Sequence, residues 1–283
     1  MLLFKKKENL QRHLATRRQA GHSIGFVPTM GALHDGHLSL VRRAKADNEL
    51  VVTSIFVNPT QFNQKDDLDK YPRTIEADIQ LLQSCGNDVL FLPEVGEIYP
   101  DEEATRVQYD LGGMDRLWEG EFRPGHFNGV AMVVHRLLDI VRPDSLYMGQ
   151  KDYQQVAVVR ALLRALGMDL QLVMCPIVRE PDGLAMSSRN RRLSDEQKRR
   201  ATVLYRTLMA ARDAYRAGRP AKEIEREAWQ RIADAGLRPE YFALVDGDTL
   251  LPVEPATAHR SVVAITAAWA GDVRLIDNMT VFP

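Results

Sequence analysis

Short apolar segments alternate with helix-forming segments through the first two-thirds of the chain, and this alternation limits the fold more than any other feature. It is typical of an α/β fold with a doubly wound parallel sheet, whose ligands bind at the carboxyl ends of the strands. Helices are predicted from His126 onward, where apolar residues recur at helical spacing, and from Asp152 to Leu166. The predicted strands are Ile24–Val27, Leu50–Val57, Asp88–Leu92, Ser145–Met148 and Leu170–Cys175.

The chain changes character after Pro176, where a loop precedes long charged segments. These segments predict helices at Asp195–Ala217 and Ala221–Ala235. Further strands are predicted near Tyr241–Val245, Ser261–Trp269 and Arg274–Asp277. We therefore expect a Rossmann-like domain over residues 1–180 and a smaller C-terminal α+β domain over residues 181–283.

The composition disfavours several classes of protein. With 283 residues, 45% of them hydrophobic, the chain can bury a substantial core. A net charge of −1 and a pI of about 6.7 provide no basic field for a nucleic acid or an acidic membrane. The first residues do not form a signal-peptide pattern, and no apolar run is long enough to span a bilayer, so we expect a cytoplasmic protein with Cys85 and Cys175 as free thiols.

The segment Phe26–His37 predicts a nucleotide site at a turn from strand to helix. Free backbone N–H groups and the helix dipole at such a turn attract phosphate, and Gly31 and Gly36 allow close approach. His34 and His37 could donate to oxygens on which charge develops. A pair of histidines in a turn is also typical of a solvated loop, and the absence of a third ligand cluster disfavours structural zinc.

Two further turns carry polar groups after predicted strands. Asn58 and Gln61 could orient a polar substrate, although amides are equally common as structural turn residues. Lys151 lies in the turn Gly149–Asp152, which opens a helix with Asp152 as a plausible cap. That lysine could hold a phosphate as a point charge, although a surface lysine is the simpler interpretation of it alone.

The segment Met186–Asn190 lies in the loop between the two predicted domains. The hydroxyls of Ser187 and Ser188 and the guanidinium of Arg189 could clamp the outer phosphates of a nucleotide and neutralise charge as pyrophosphate leaves. Taken alone, the three residues are typical of a solvated loop. Four such signals, each at a strand end or at the domain junction, together indicate a nucleotide-dependent enzyme.

These elements resemble those of the pantothenate synthetase family, the AMP-forming pantoate–β-alanine ligases of the class I nucleotidyltransferase superfamily. The His-x-Gly-His type element is shared across the superfamily, whereas the Asn-Pro-x-Gln-Phe and Arg-Pro-Gly-His-Phe elements are more particular to the family. The matching stretches cover essentially the whole chain: Pro28–His37, Ser54–Phe62, Tyr71–Thr74, Arg123–Phe127, Lys151–Gln155, Met186–Asn190 and Ala268–Asn278.

The resemblance implies roles for individual residues. His37 is the implied proton donor, and His34 and Lys151 would stabilise the phosphates. Gln61 and Gln155 would bind pantoate in a pocket lined by Met30, with Asn58 beside it, and Asp78 would assist at the ribose. Gln150 departs from the acidic residue expected in many relatives. The implied ATP-binding residues are Met30, Gly31, Ala32, Leu33, His34, Asp35, Gly36, His37, Asp78, Gly149, Gln150, Lys151, Asp152, Val178, Met186, Ser187, Ser188 and Arg189.

The implied reaction is the ATP-dependent condensation of (R)-pantoate with β-alanine through a pantoyl adenylate, with release of pyrophosphate and AMP. Mg²⁺ would accompany ATP and be held mainly by phosphates and water, so no all-protein metal site is expected. The resemblance also implies a homodimer and a smaller domain that closes over the ATP site.

Two other functions remain open at this point. A nucleotidylyltransferase would transfer AMP to a phosphate-bearing substrate and stop there, without an amine co-substrate. A nucleotide-sensing protein could keep the fold without catalysis, and it would show no ATP turnover.

Overall fold

The computed structural model describes residues 1–62, 68–69, 71–101, 103–253 and 261–282. The chain groups into two compact units. The first consists of Met1–Gly149 and Gln155–Pro176, and the second of Gln150–Gln154 and Ile177–Pro283. The second unit therefore takes a short segment from the middle of the first one's sequence. The division into domains at residues 1–180 and 181–283 stays a prediction.

The first unit contains a six-stranded parallel sheet in the order β1-β4-β3-β2-β5-β6. The predicted doubly wound parallel α/β fold is thereby confirmed. The strands are β1 (Leu2–Phe4), β2 (Ile24–Thr29), β3 (Leu50–Ile55), β4 (Val89–Phe91), β5 (Ser145–Gly149) and β6 (Gln171–Cys175).

The strand order reverses beside β2, which has β3 on one side and β5 on the other. The ladder from β2 to β3 runs the whole length of β2, to Thr29 opposite Ile55. The ladder from β2 to β5 ends earlier, at Phe26 opposite Leu146. The carboxyl halves of β2 and β5 therefore border the topological switch point, where doubly wound sheets bind their ligands.

Helices pack on both faces of this sheet. Phe26 and Val52 face one apolar core, while the adjacent Val27 and Val51 face the other, because side chains alternate along a strand. The helices of the first core include α1 (Lys7–Gln19) and α6 (His126–Val141), and that of the second is mainly α2 (Asp35–Asp47). Among the described residues before 176, further α-helices are α3 (Ile75–Ser84), α4 (Val95–Ile98), α5 (Glu119–Phe122) and α7 (Tyr153–Leu166).

The sequence did not predict β1 or α1. Only Leu10 and Leu14 are buried on α1, one turn apart, and most of its other residues are charged or polar. Two apolar positions are too few to define an amphipathic stripe. Both leucines are nevertheless fully buried in the core that α6 also enters.

The second unit has an antiparallel sheet in the order β7-β8-β9, so the predicted α+β character is confirmed. Its strands are β7 (Arg238–Asp246), β8 (Val262–Ala270) and β9 (Val273–Phe282), and its helices are α8 (Asp195–Ala201), α9 (Val203–Arg216) and α10 (Ala221–Asp234). The single helix predicted over Asp195–Ala217 is wrong, because the chain breaks it at Thr202. The Thr202 hydroxyl donates to the Arg199 carbonyl 2.8 Å away and competes with helical hydrogen bonding.

None of the helices formed by the described residues is long and apolar enough to cross a membrane.

We predict that Leu14→Ala lowers the free energy of unfolding by about 2–5 kcal/mol, because the Leu14 side chain is fully buried and its truncation leaves a cavity in the core. Urea denaturation followed by circular dichroism measures the change. Arg12→Ala, at an exposed position of the same helix, is the control and should change stability by no more than about 0.5 kcal/mol. Equal stabilities for the two variants would contradict the packing described for α1.

Candidate active site

The loop that follows β2 has an unusual backbone. Gly31 and Ala32 both lie in the left-handed region, with φ of 82° and 50°. A Cβ atom at Gly31 would lie 3.0 Å from Ile55 Cγ2 and 3.1 Å from Asp78 Oδ2, so a larger residue would meet both conformational strain and crowding. Ala32 has a Cβ atom and therefore adopts this conformation at an energetic cost. Contacts with the surrounding residues must stabilise it.

Asp78 supplies that stabilisation from α3. Its Oδ2 accepts the Ala32 N–H and its Oδ1 the Leu33 N–H, both at 2.9 Å. The Thr74 hydroxyl donates to Oδ1 at 3.1 Å, and the Asp78 side chain is buried. Hydrogen bonds to a carboxylate are stronger than neutral ones, so this side chain fixes the loop in its strained form. The geometry thus ties Asp78 to the loop backbone, whereas its predicted role at the ribose stays a prediction.

His34 ends the loop and caps α2. The Gly36 N–H donates to His34 Nδ1 at 3.2 Å, so in the neutral ring the proton lies on Nε2. The rings of His34 and His37 lie 4.1 Å apart between centroids, inclined by 48°. Both histidines therefore lie together at a helix N-terminus, where backbone dipoles favour negative charge.

The predicted substrate residues Met30, Asn58 and Gln61 meet in one buried cluster. Gln61 Nε2 donates to Met30 Sδ at 3.0 Å, and Gln61 Oε1 accepts from Asn58 Nδ2 at 3.0 Å. The Asn58 side chain also accepts from the Tyr99 hydroxyl at 2.9 Å and donates to the Gly129 carbonyl at 3.0 Å. The side-chain amides of Asn58 and Gln61 are thus held rigidly beside Met30, the residue that opens the histidine loop. Gln155 lies half-buried in the first turn of α7.

Two residues of α6 that had no predicted role support this cluster. A Cβ atom at Gly129 would overlap the Thr60 carbonyl and lie 2.8 Å from Gln61 Cα, so only glycine lets α6 approach this turn. His126 Nδ1 lies 2.8 Å from the Gln61 carbonyl, to which it donates a hydrogen bond. The Arg123–Phe127 motif was the available signal, but a motif does not say which backbone group its histidine contacts.

The second unit carries most of the remaining predicted residues. Gln150, Lys151 and Asp152 form a 3₁₀ turn, and Lys151 Nζ lies 3.7 Å from Asp152 Oδ1. The carbonyls of Gln150 and Lys151 both accept from Asn278 Nδ2 at 2.9 Å. Gly149, which ends β5, belongs to the first unit.

Val178 and Met186 are paired across a narrow turn of the chain. The Met186 N–H donates to the Val178 carbonyl at 3.0 Å, next to a bridge between Arg179 and Ala185. Ser187 then caps a 3₁₀ helix, Ser188–Arg192, by accepting the Arg189 N–H at 3.3 Å. Ser187, Ser188 and Arg189, which are predicted to contact phosphates, therefore follow this turn directly.

A buried ion pair anchors the same turn to β9. Arg179 donates to both carboxylate oxygens of Asp277, at 2.6 and 2.9 Å, and stacks on the Tyr205 ring at 4.2 Å. Burial raises the pKa of the Asp277 carboxyl, while the hydrogen bonds and charge of Arg179 oppose that rise. Arg179, Asp277 and Asn278 had no predicted role, although Asn278 ends one of the stretches that resemble the family.

The sequence-predicted residues thus form two groups, one in each compact unit. The first unit brings together Met30–His37, Asp78, Asn58 and Gln61, and the second brings together Gln150–Asp152, Val178 and Met186–Arg189. Among the residues described in the structure, no cluster of three or more His, Cys, Asp or Glu side chains could hold a metal ion.

Comparison with known proteins identifies one family. A model of the family described as Pantoate-beta-alanine ligase matches residues 2–280 of this chain. A pantothenate synthetase from Bacteroides thetaiotaomicron is 47% identical over 273 residues, which cover 96% of each chain. Another, from Thermotoga petrophila, is 45% identical over 280 residues, which cover 98% of this chain and 99% of the relative.

Solved structures show the same similarity. The crystal structure of pantothenate synthetase from Thermus thermophilus matches 100% of both chains with a TM-score of 0.92 and 45% identity. A pantoate-beta-alanine ligase from Francisella tularensis, complexed with beta-gamma ATP and beta-alanine, has a TM-score of 0.82 and 35% identity, and the match covers 99% of this chain and 98% of that one.

We predict that Asp78→Asn frees the histidine loop. The new amide NH₂ group would face a backbone N–H, so at least one loop hydrogen bond is lost and the free energy of unfolding falls by about 1–3 kcal/mol. Hydrogen exchange at the Ala32 and Leu33 amides should accelerate, which mass spectrometry or NMR measures. Glu76→Gln, an exposed change on the same helix, should leave both amides as protected as in the unaltered protein. Unchanged exchange in Asp78→Asn would refute the anchoring role.

Proposed function

Since this chain belongs to the pantoate-beta-alanine ligase family, we propose that it condenses pantoate with β-alanine through a pantoyl adenylate formed from ATP. ATP-dependent ligation is the activity of the family, and the intermediate and the residue roles below are our proposal. One observation carries it: Met30 both opens the histidine loop and contacts Gln61. A substrate on the amide cluster would therefore lie beside the nucleotide loop.

The chemistry requires activation because a carboxylate and an amine do not condense at neutral pH. In the first step a carboxylate oxygen of pantoate attacks the α-phosphorus of ATP, and the bond to the β-phosphate breaks to release pyrophosphate. In the second, the amine of β-alanine attacks the acyl carbonyl, loses a proton, and expels AMP. No covalent bond to the enzyme is needed, so catalysis depends on positioning and on electrostatic stabilisation.

The first unit supplies donors for the α-phosphate. His37 and His34 lie at the N-terminus of α2, and the tautomer of His34 set by the Gly36 N–H places a proton donor on Nε2. We assign the proton-donor role to His37 and phosphate stabilisation to His34. Met30–His37 form the nucleotide loop, and Asp78 holds that loop in addition to its proposed role at the ribose.

Cationic and hydroxyl side chains are proposed to bind the outer phosphates. Lys151, Ser187, Ser188 and Arg189 would bind the phosphates that leave as pyrophosphate, with Val178 and Met186 beside the nucleotide. Gly149, Gln150 and Asp152 complete the ATP-binding set, and Gln155 joins Asn58 and Gln61 in binding pantoate.

The donor set fits a magnesium ion that arrives with ATP. The buried carboxylates of Asp78 and Asp277 are already engaged by N–H donors, which leaves the phosphates and water as the natural oxygen ligands. Mg²⁺ would neutralise part of the triphosphate charge. A homodimer in the cytoplasm is the proposed state of the protein, on the strength of the family resemblance alone.

The test is release of pyrophosphate and AMP from the purified protein with ATP and magnesium. We expect pyrophosphate release to require pantoate, and continuous turnover to AMP and pantothenate in equal amounts to require β-alanine as well. Omitting each substrate in turn is the control. Continuous AMP transfer to a phosphate-bearing acceptor, without any amine and without release of AMP, would instead favour a nucleotidylyltransferase.

We predict that Gln61→Ala raises the KM for pantoate about 10-fold while the KM for ATP changes by less than about twofold, since one fixed hydrogen-bonding amide is lost from the pocket. Steady-state kinetics with each substrate varied measures the split. Gln80→Ala, an exposed change on α3, should leave both constants unaltered. A collapse of ATP affinity with normal pantoate dependence would reverse the pocket assignment.

A further inference from the structure

Asn278 is a buried side chain that contacts the turn carrying Lys151. It lies on β9, with only 2% of its surface exposed. Its amide nitrogen donates to the carbonyls of Gln150 and Lys151, each at 2.9 Å. Both protons of one NH₂ group are thus used on consecutive carbonyls of the 3₁₀ turn, which fixes the direction of the backbone at Lys151.

Gln150 in turn donates a hydrogen bond to the Asn278 side chain. Because the two carbonyls require the NH₂ side of Asn278, the Asn278 Oδ1 atom is left as an acceptor, and Gln150 Nε2 lies 3.3 Å from it. A glutamate at position 150 would be ionised at neutral pH and would have no proton to donate there. The residue that departs from the expected acidic side chain therefore matches the asparagine that it faces.

The neighbouring residue of β9 keeps a competing carboxylate occupied. Asp277 is close enough for the charge of Lys151 to lower its pKa, yet its oxygens are bound by both Arg179 nitrogens and by the Asn278 N–H at 2.7 Å. Arg179 therefore neutralises a buried carboxylate that would otherwise attract the Lys151 ammonium. Arg179 thus holds the Asp277 carboxylate, while Asn278 fixes the turn that carries Lys151.

We propose that Asn278, oriented by Gln150, is a positioning residue that presents Lys151 to the triphosphate. The inference rests on the proposed role of Lys151 in binding phosphate. Asn278 acts through the backbone of the Gln150–Asp152 turn and does not itself touch the reacting atoms. Loss of its two hydrogen bonds would let the turn rotate, and small displacements of a positioned charge have large effects on rate.

A double-mutant cycle tests the proposal with Asn278→Ala, Lys151→Ala and the double variant. Pantoate-dependent pyrophosphate release is measured with the KM for pantoate and the midpoint of thermal unfolding. Asn278→Ala should lower kcat about 10-fold or more and leave the KM for pantoate within about twofold. In the Lys151→Ala background the same change should lower kcat by less than about twofold, because residues that act together are not additive.

Two further variants separate positioning from a general loss of structure. Thr280→Ala, two residues along the same strand and on the same face, should keep the unaltered rate. Asn278→Thr keeps a good strand former and one hydroxyl donor, so it should fold and fall between the alanine variant and the unaltered protein. It serves as the single variant of the cycle if Asn278→Ala does not fold.

Each contrary result has its own meaning. A slow Lys151→Ala with a normal Asn278→Ala overturns the positioning role alone. Losses that multiply in the double variant also overturn it, because Asn278 would then act independently of Lys151. A normal rate in Lys151→Ala would overturn the proposed role of that lysine together with the inference built on it, while ligase turnover would still stand.

Discussion

The hydrogen bonds from the Ala32 and Leu33 amides to the buried Asp78 carboxylate fix the loop on which the candidate residues of the first unit depend. They hold Gly31 and Ala32 in left-handed backbone conformations, which alanine rarely adopts. The loop in that form delivers His34 to the start of α2 and leaves Met30 beside Gln61. The strain is local, whereas its compensation comes from a helix more than forty residues along the chain.

The candidate residues of the second unit also depend on buried polar side chains, which act through different chemistry. Asp277 and Asn278 are adjacent on β9, and each organises one segment through hydrogen bonds. Asp277 secures Arg179 and hence the turn that pairs Val178 with Met186, while Asn278 secures the turn of Lys151. In both units, therefore, candidate residues such as Ala32 and Lys151 lie on turns, and buried polar side chains on regular elements determine the shape of those turns.

Sequence reasoning succeeded where the signal was local. The strand, glycine turn and helix around His34 are contiguous, and the amides of Asn58 and Gln61 follow their strand directly, so both features were predictable. It failed where the partner is distant. Nothing near Asn278 says that its amide will meet Lys151, and nothing near Gly129 says that Thr60 will lie against it. The helix α1 was missed because its burial depends on two leucines alone.

The discontinuity of the second unit limits how such a protein can be recombined. Gln150–Gln154 group with the C-terminal residues, and within that unit Tyr153 donates to the Gly247 carbonyl at 2.8 Å. A chain cut after Pro176 would keep the lysine turn but lose Asn278, to which that turn is bound, and Gly247, to which the adjoining Tyr153 is bound. Exchange of the C-terminal part between homologues by a single crossover would therefore pair a turn from one parent with a strand from another. Position 150 and position 278 must be inherited together for the turn to keep its shape.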